Sequence, residues 1–330
     1  MNAARAPIVP ASDPARGTIG CMDARSFRRA LDSGGVIVLD GGLATQLEAQ
    51  GADLSDALWS ARLLVEDPDA IVDAHLAYFR AGGRGATTAS DQATFEGFAA
   101  RGIGREDAEG LLRRSVELAA LARTRVEAGR DDGVARFVAA SIGPYGAMLA
   151  DGSEYRGRYG LTVDELRAFH RDRLGVLAAT PADVLAVETV PEVEEAIAVA
   201  SLVAEIEGAA AWISFSCADG ARIRSGAPIE EAVQAVTGWP GIVAVGINCT
   251  APEHVEELIE RVAAATDLPI VAYPNSGEGW DAGRRAWTGR AGARADGPAA
   301  AGWVDLGARL VGGCCRVTPA QIESIATAVG

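Results

Sequence analysis

Lysine is missing from this chain, because all thirty basic residues among its 330 are arginines. This absence excludes Schiff-base catalysis by a lysine and the phosphate-binding lysine of a Walker motif. Acidic residues outnumber basic ones by 45 to 30, and the formal net charge is −15. A chain this acidic is a poor match for a nucleic-acid backbone or an anionic membrane surface, so we expect neither as a partner.

Long apolar runs are also missing. No run approaches the roughly 18 residues that a transmembrane helix needs, and the N-terminal stretch lacks the regions that define a signal peptide. These features predict a cytoplasmic protein. Hydrophobic residues nevertheless make up 49% of the chain, which is enough to bury a large core and excludes global disorder.

Cysteines are few, and their positions are uneven: Cys21, Cys217, Cys249, Cys314 and Cys315. An odd number in a reducing compartment argues against a disulfide framework. Adjacent cysteines such as the last two rarely pair, since the geometry of a disulfide is strained there. An isolated cysteine is most often a small buried apolar side chain, and we interpret Cys21 and Cys217 in that way.

Short apolar segments alternate with helical segments along most of the chain. The apolar segments are continuous rather than alternating, as expected for strands that are buried on both faces. Eight such units predict a single-domain (β/α)8 TIM barrel, with a doubly wound open sheet as the alternative. The predicted strands lie at 36–40, 85–90, 137–143, 184–189, 211–216, 242–249, 269–275 and 308–315.

The N-terminal end of the chain and one internal segment depart from this alternation of strands and helices. Residues 1–30 are predicted to form a loosely ordered tail that contains one short helix, at 23–31, and residues 31–330 are predicted to form the barrel domain. The segment 277–298 is rich in glycine, arginine and alanine. It predicts a long loop after the seventh strand.

Three cysteines fall where a barrel of this kind carries its chemistry, at the C-terminal ends of strands. Cys249 ends the sixth predicted strand, and Cys314 and Cys315 end the eighth, with only one strand between them. Three convergent thiolates suit Zn²⁺ and leave the fourth tetrahedral position open, which is typical of a catalytic site. Both adjacent cysteines can bind only if the backbone leaves strand geometry, which Gly312 and Gly313 favour. The alternative is a pair of core cysteines beside a flexible turn.

A zinc ion held by three thiolates is electron-rich, and it is therefore a weak Lewis acid toward carbonyl groups. It is well suited to bind a substrate thiol and to lower the pKa of that thiol. The pattern predicts attack by a substrate sulfur on an electrophilic carbon.

Eight stretches of the sequence resemble the homocysteine S-methyltransferase family, in particular its short, S-methylmethionine-type members. The most specific pair is GINCTAPEHV and GGCCRVTPAQI, at 246–255 and 312–322. The others are DGGLATQLEAQG (40–51), HLAYFRAGG with TTASDQAT (75–94), SIGPYGAMLADGSEYRGRYG (141–160), ETVPEVEEA (188–196), SFSCADGARIRSGAPI (214–229) and YPNSGEGWD (273–281).

The resemblance implies an enzyme of class EC 2.1.1 and assigns roles to individual residues. A methyl group would pass from a sulfonium donor, S-methylmethionine or S-adenosylmethionine, to a zinc-bound homocysteine thiolate, and the product would be methionine. The implied zinc ligands are Cys249, Cys314 and Cys315. The implied homocysteine-binding residues are Asp40 and Glu188, which would hold the ammonium group, and Asn248, which would orient the site. Trp59 would form one wall of the donor pocket through a cation–π contact.

One position departs from the family pattern. The family usually has an aromatic residue, as in SYQAT, where this chain has Asp91 in SDQAT (90–94). If Asp91 lines the donor side, a carboxylate replaces an aromatic contact, and the identity of the donor stays open. Betaine or another donor with the same acceptor is one alternative, and a non-catalytic zinc or redox barrel is another. The oligomeric state, monomer or dimer, is also left open.

Overall fold

The strands of this protein close into a barrel. The computed structural model describes residues 22, 24–53, 60–130, 132–149, 151–281, 286–288 and 295–330. Eight of the described strands pair in parallel, in the order Ile37–Val38, Ala308–Val311, Ile270–Tyr273, Ile242–Asn248, Ala211–Phe215, Val184–Val190, Phe137–Ile142 and Gly85–Thr87. A parallel bridge between Leu39 and Gly85 connects the first strand in this order to the last. The fold is therefore the predicted TIM barrel, with its helices outside the sheet.

The eight barrel strands match the predicted apolar segments, although most are shorter than predicted. Almost every residue in them is buried, because side chains on one face fill the barrel interior and those on the other meet the helices. The strands are β1 (Ile37–Val38), β2 (Gly85–Thr87), β3 (Phe137–Ile142), β4 (Val184–Val190), β5 (Ala211–Phe215), β6 (Ile242–Asn248), β7 (Ile270–Tyr273) and β10 (Ala308–Val311).

The helices follow the predicted segments and add short elements that the sequence pattern did not reveal. A capping box formed by Thr162 and Glu165 starts the helix Val163–Ala178. The long helices are α4 (Pro68–Arg80), α6 (Arg105–Ala128), α8 (Val163–Ala178), α9 (Val193–Val203), α10 (Ile229–Val236), α11 (Val255–Ala265), α12 (Gly297–Asp305) and α13 (Pro319–Val329). The short ones that were not predicted are α2 (Leu43–Ala49), α3 (Ser60–Glu66), α5 (Phe95–Ala99) and α7 (Tyr145–Leu149).

The predicted short helix near the N-terminus is present as α1 (Arg25–Asp32). Its Phe27 packs edge to face on Phe137, with ring centroids 5.3 Å apart, and lies 6.1 Å from the ring of Trp212. These three rings belong to the cluster of side chains inside the barrel. Helix α1 therefore fills the barrel from the N-terminal end of the strands. The rest of the predicted tail, residues 1–21, lies outside the described residues, and the domain boundary at residue 31 stays a prediction.

The segment that was predicted as a long loop contains a small hairpin. Strands β8 (Gly279–Asp281) and β9 (Ala286–Thr288) pair antiparallel with each other. The prediction of a long loop was therefore incomplete. The many glycines of this stretch make the short alternating pattern of a hairpin hard to recognise. Among the helices that the structure describes, none combines the length and the hydropathy needed to cross a bilayer.

Candidate metal centre

Three sulfur atoms converge at the C-terminal mouth of the barrel. The Sγ atoms of Cys249 and Cys315 lie 3.8 Å apart, and those of Cys314 and Cys315 lie 4.0 Å apart. All three sulfurs lie within 4.8 Å of one another. The convergence that the sequence predicted from strand order is therefore present. Cys217, which we interpreted as an ordinary buried side chain, lies outside this cluster and is buried.

Close packing of two glycines brings both adjacent cysteines to the mouth. Strand β10 ends at Val311, and the chain then turns. A Cβ on Gly313 would lie 2.2 Å from the side chain of Val317, and one on Gly312 would lie 2.8 Å from the side chain of Leu39. Neither glycine has a left-handed φ. The sequence correctly predicted a departure from strand geometry here, but the glycines are required because of space rather than unusual backbone angles.

The cluster fits a tetrahedral zinc ion. Zn–S bonds of about 2.3 Å place neighbouring sulfur ligands about 3.8 Å apart. The observed separations of 3.8 and 4.0 Å match this spacing. Three protein thiols also leave one tetrahedral position for a substrate atom, as in catalytic zinc sites. The donor set and its spacing therefore support zinc as the cofactor.

Asp40 lies immediately beyond β1, and its carboxylate is held by the next strand. Its Oδ2 accepts a hydrogen bond of 2.8 Å from the backbone N–H of Thr87, and the Thr87 hydroxyl donates to its Oδ1 at 3.0 Å. The side chain is only 2% exposed. Burial raises the pKa of Asp40 to about 7, although the Thr87 hydrogen bonds act in the opposite direction. Asp40 is thus a carboxyl group of fixed position that loses its proton and becomes negatively charged near neutral pH.

Glu188 lies near the end of β4, and it is the second buried carboxyl group at the mouth. The hydroxyl of Ser141 on β3 donates a hydrogen bond to its Oε1. Burial, together with the nearby charges of Asp91 and Asp40, raises the pKa of Glu188 to about 8. Asp40 and Glu188 have no ion-pair partner among the described residues, so these two carboxyl groups are suited to a positively charged ligand.

Asn248, the last residue of β6, lies between β4 and the cysteines. Its Oδ1 accepts a hydrogen bond of 2.7 Å from the backbone N–H of Thr189, and its Nδ2 donates to the Thr189 hydroxyl at 2.8 Å. The same Nδ2 lies 3.9 Å from the sulfur of Cys314, within the range of a weak N–H···S bond. Thr189 was not predicted from the sequence, because nothing local distinguishes it from an ordinary strand residue.

Asp91 lies in a turn that is anchored from behind by a buried arginine. Its backbone carbonyl accepts hydrogen bonds from Gly143 N–H, at 3.0 Å, and from Arg173, at 3.1 Å. Burial raises the pKa of Asp91 to about 6, while the Arg173 charge lowers it and a charge on Cys249 raises it. The charge of Asp91 therefore interacts with that of Cys249 in the cluster. Trp59, the other residue predicted for the donor pocket, lies outside the described residues.

A phenol that the sequence analysis did not select also reaches the cluster. Tyr155 lies in a short 3₁₀ helix, Ser153–Tyr155, within the connection between β3 and α8. Its hydroxyl oxygen is 3.4 Å from the Sγ of Cys249. No local sequence motif can reveal this contact, since the two residues are 94 positions apart.

Comparisons with known proteins agree with this arrangement. The model of the family described as homocysteine S-methyltransferase matches residues 37–329. A homocysteine S-methyltransferase of Bacillus subtilis, YbgG, is 48% identical over 303 residues, which cover 91% of this chain and 96% of that protein. A homocysteine S-methyltransferase of Escherichia coli is 45% identical over 300 residues, covering 91% of this chain and 97% of that protein.

The fold has a solved counterpart. The crystal structure of the homocysteine methyltransferase MmuM from Escherichia coli, in its metallated form, superposes with a TM-score of 0.83 at 42% identity. The match covers 91% of this chain and 99% of that one. Together with the family model and the two relatives, it agrees with the barrel fold of this chain. The chain belongs to the homocysteine S-methyltransferase family.

Proposed function

We propose that this protein is a zinc-dependent methyltransferase that methylates the thiol of homocysteine to form methionine. The observation that carries the proposal is the trio of Cys249, Cys314 and Cys315, whose sulfurs converge at the spacing of zinc ligands beside two buried carboxyl groups. Zinc held by these cysteines would supply a positive charge that lowers the pKa of a substrate thiol. Family membership supports the same acceptor and reaction class.

The buried carboxyl groups fit the other end of an amino-acid substrate. Asp40 and Glu188 enter the mouth from β1 and β4, and each is fixed by a hydrogen bond from a neighbouring strand. Their pKa values are raised because they are buried without a cation. An ammonium group between them would restore their charge and would itself be desolvated. We assign Asp40 and Glu188 to the homocysteine ammonium, with Asn248 positioning the strand ends beside them.

The reaction that these groups support is a direct displacement. The homocysteine thiol gives up its proton to water, and its sulfur forms a bond to the methyl carbon of the donor. The bond between that carbon and the donor sulfonium breaks, and the electron pair stays on the donor sulfur, which becomes a neutral thioether. The protein contributes mainly by orienting the two sulfurs in line. No side chain is required to act as a general base.

A sulfonium compound is the donor that we favour. Asp91, whose charge interacts with that of Cys249, offers a carboxylate to a cation. S-methylmethionine and S-adenosylmethionine both carry a sulfonium centre, and Trp59 is assigned to the same pocket on the family resemblance. Betaine is also a cation, so the donor must be decided by experiment.

A donor panel tests the proposal. Homocysteine labelled with ¹³C in its carbon chain is mixed with zinc-loaded protein and S-methylmethionine, S-adenosylmethionine or betaine. We expect labelled methionine, measured by mass spectrometry, with the sulfonium donors. The label is needed because S-methylmethionine itself becomes methionine after it gives up a methyl group. Product from betaine alone would contradict the sulfonium assignment, and no product from any donor would contradict the transferase.

A pair of cysteine variants tests the metal centre. Cys314→Ser should lose bound zinc, measured by atomic emission, and at least about a hundredfold in kcat/KM, since removal even of groups around zinc ligands costs 10–100-fold. Cys217→Ala is the control, because this buried cysteine lies outside the cluster. It should keep one zinc per chain. Equal zinc content in both variants would contradict the assignment.

A further inference from the structure

The hydroxyl of Tyr155 lies against the sulfur cluster. It lies 3.4 Å from the Sγ of Cys249, within the distance for a hydrogen bond to sulfur. Cys249 is 1% exposed, so few water molecules can compete for its sulfur. A metal-bound thiolate carries no proton and can only accept, which makes the phenol O–H the donor.

The ring of Tyr155 is held in place independently of this contact. The guanidinium of Arg224 lies over the ring, 5.5 Å from its centroid. The Ser216 hydroxyl donates to the backbone carbonyl of Glu154 at 3.5 Å. The backbone packs so tightly that a Cβ on Gly146 would lie 2.4 Å from the amide nitrogen of Glu154. The connection therefore presents the phenol to the cluster by its own packing.

Arg224 also acts on the strength of the donor. A cation over the face of a tyrosine ring draws electron density toward itself. The O–H bond becomes more polar as a result, and its hydrogen bond to a sulfur anion becomes stronger. The Nε of Arg224 is buried and has no hydrogen-bond partner among the described residues, so this guanidinium is not fully engaged elsewhere.

We propose that Tyr155 tunes the metal centre by donating its phenol hydrogen to the sulfur of Cys249. The inference rests on the zinc site of the proposed function, and it assigns to Tyr155 a positioning role that acts through a cysteine. A hydrogen bond to a thiolate withdraws electron density from sulfur and weakens its donation to a bound metal. The metal then carries more positive charge, which favours ionisation of an incoming substrate thiol.

The test uses Co²⁺ as a spectroscopic probe in place of zinc. Thiolate-to-cobalt charge-transfer bands report the energy of the sulfur lone pairs, which a hydrogen bond lowers. Tyr155→Phe keeps the ring and its packing but removes the donor, so we expect these bands to move to longer wavelength. Because the Cys249 sulfur then donates more strongly, competition with a chromophoric chelator should also show Co²⁺ bound more tightly in this variant, by up to about tenfold.

Tyr159→Phe is the matched control. Tyr159 lies four residues further along the same connection, and its buried hydroxyl has no hydrogen-bond partner among the described residues. The control should leave the bands and the metal affinity unchanged. Identical spectra and affinities for wild type and Tyr155→Phe would overturn the inference for Tyr155. Absence of thiolate-to-cobalt bands in the wild type would instead overturn the metal site itself.

Discussion

Asn248 and Thr189 clamp two strand ends together across the mouth of the barrel. Each end of the Asn248 amide is hydrogen-bonded to Thr189, at 2.7 and 2.8 Å. Thr189 has a φ of +62°, which is unfavourable for a β-branched residue, and Cys249, next to Asn248, has a φ of +45°. The pairing of β4 with β5 is irregular between Val187 and Val190, as at a β-bulge. The clamp therefore stabilises two strained turns that present Glu188 and Cys249.

The Thr189 hydroxyl should contribute measurably to stability. Thr189→Val keeps the shape and the backbone strain but leaves the Asn248 amide without its acceptor. We expect it to lower the free energy of unfolding by about 1–3 kcal/mol, the cost of a buried unsatisfied polar group. Thr189→Ser keeps the hydroxyl and should match the wild type. Urea denaturation measures both variants, and equal losses for the two would refute the role of the hydroxyl.

A buried arginine on α8, Arg173, should contribute far more to the stability of the fold than an exposed arginine on the same helix. Arg173 is 1% exposed; it donates to the Gly143 carbonyl at 2.6 Å and to Nδ1 of His170 at 2.9 Å. The Nε2 of His170 lies 2.8 Å from Glu195, so the imidazole proton belongs on Nε2. Glu195 in turn accepts a hydrogen bond from the backbone N–H of Tyr145, at the start of the connection that carries Tyr155.

Arg173→Met should therefore lower the free energy of unfolding by about 3–5 kcal/mol, as expected when one partner of a buried charged network is removed. Arg171→Met is the control. Arg171 pairs with Glu205 at 3.0 Å, but both side chains are about half exposed, so its loss should cost less than about 1 kcal/mol. Thermal or chemical unfolding compares the two. Similar costs would show that the buried network adds nothing to stability.

The charge of Glu188 predicts a pH dependence with a definite sign. Because burial raises its pKa to about 8, the folded protein without substrate binds a proton there that the unfolded chain releases near pH 4. Stability therefore falls as pH rises from about 4 to about 8. Glu188→Gln removes this effect. The melting temperature of the variant, relative to that of the wild type, should therefore increase as pH rises. A temperature difference that is the same at pH 5 and pH 8 would contradict the pKa shift.

The same ionisation should control substrate binding. An ammonium group is bound by the charged carboxylate, so the KM for homocysteine should fall as pH rises toward 8 in the wild type. In Glu188→Gln the KM should be high at every pH. Steady-state kinetics at saturating donor measure this, and a wild-type KM that rises with pH would exclude Glu188 as the partner of the ammonium group.

Asp91 should affect the donor and leave the acceptor unchanged. Asp91→Asn removes the charge and should raise the KM for the sulfonium donor by up to about tenfold. Asp91→Tyr introduces an aromatic face, and a cation–π contact of about 0.5–2 kcal/mol should restore or improve donor binding. The KM for homocysteine serves as the internal control. Donor kinetics that are unchanged in both variants would remove Asp91 from the donor pocket.

Local patterns in the sequence were sufficient for the barrel and for the main candidates of its site. Continuous apolar strands alternating with helices predict parallel pairing, and parallel pairing places Asp40, Glu188, Cys249 and the Cys314–Cys315 pair at one end of the sheet. The structure brings the three cysteines together as expected. The short helix α7 and the hairpin after β7 were missed, because elements of three to five residues are too short for their periodicity to be recognised.

The sequence by itself therefore determined the fold class, the three cysteines that converge and the end of the barrel where they meet, since these follow from periodicity and from the order of strands. Only the tertiary structure decided which side chains surround the ligands. The contact of Tyr155 with Cys249 joins residues 94 positions apart, and the clamp of Asn248 with Thr189 joins residues 59 apart. Such contacts depend on the path of loops and the packing of helices behind them, which no local pattern encodes.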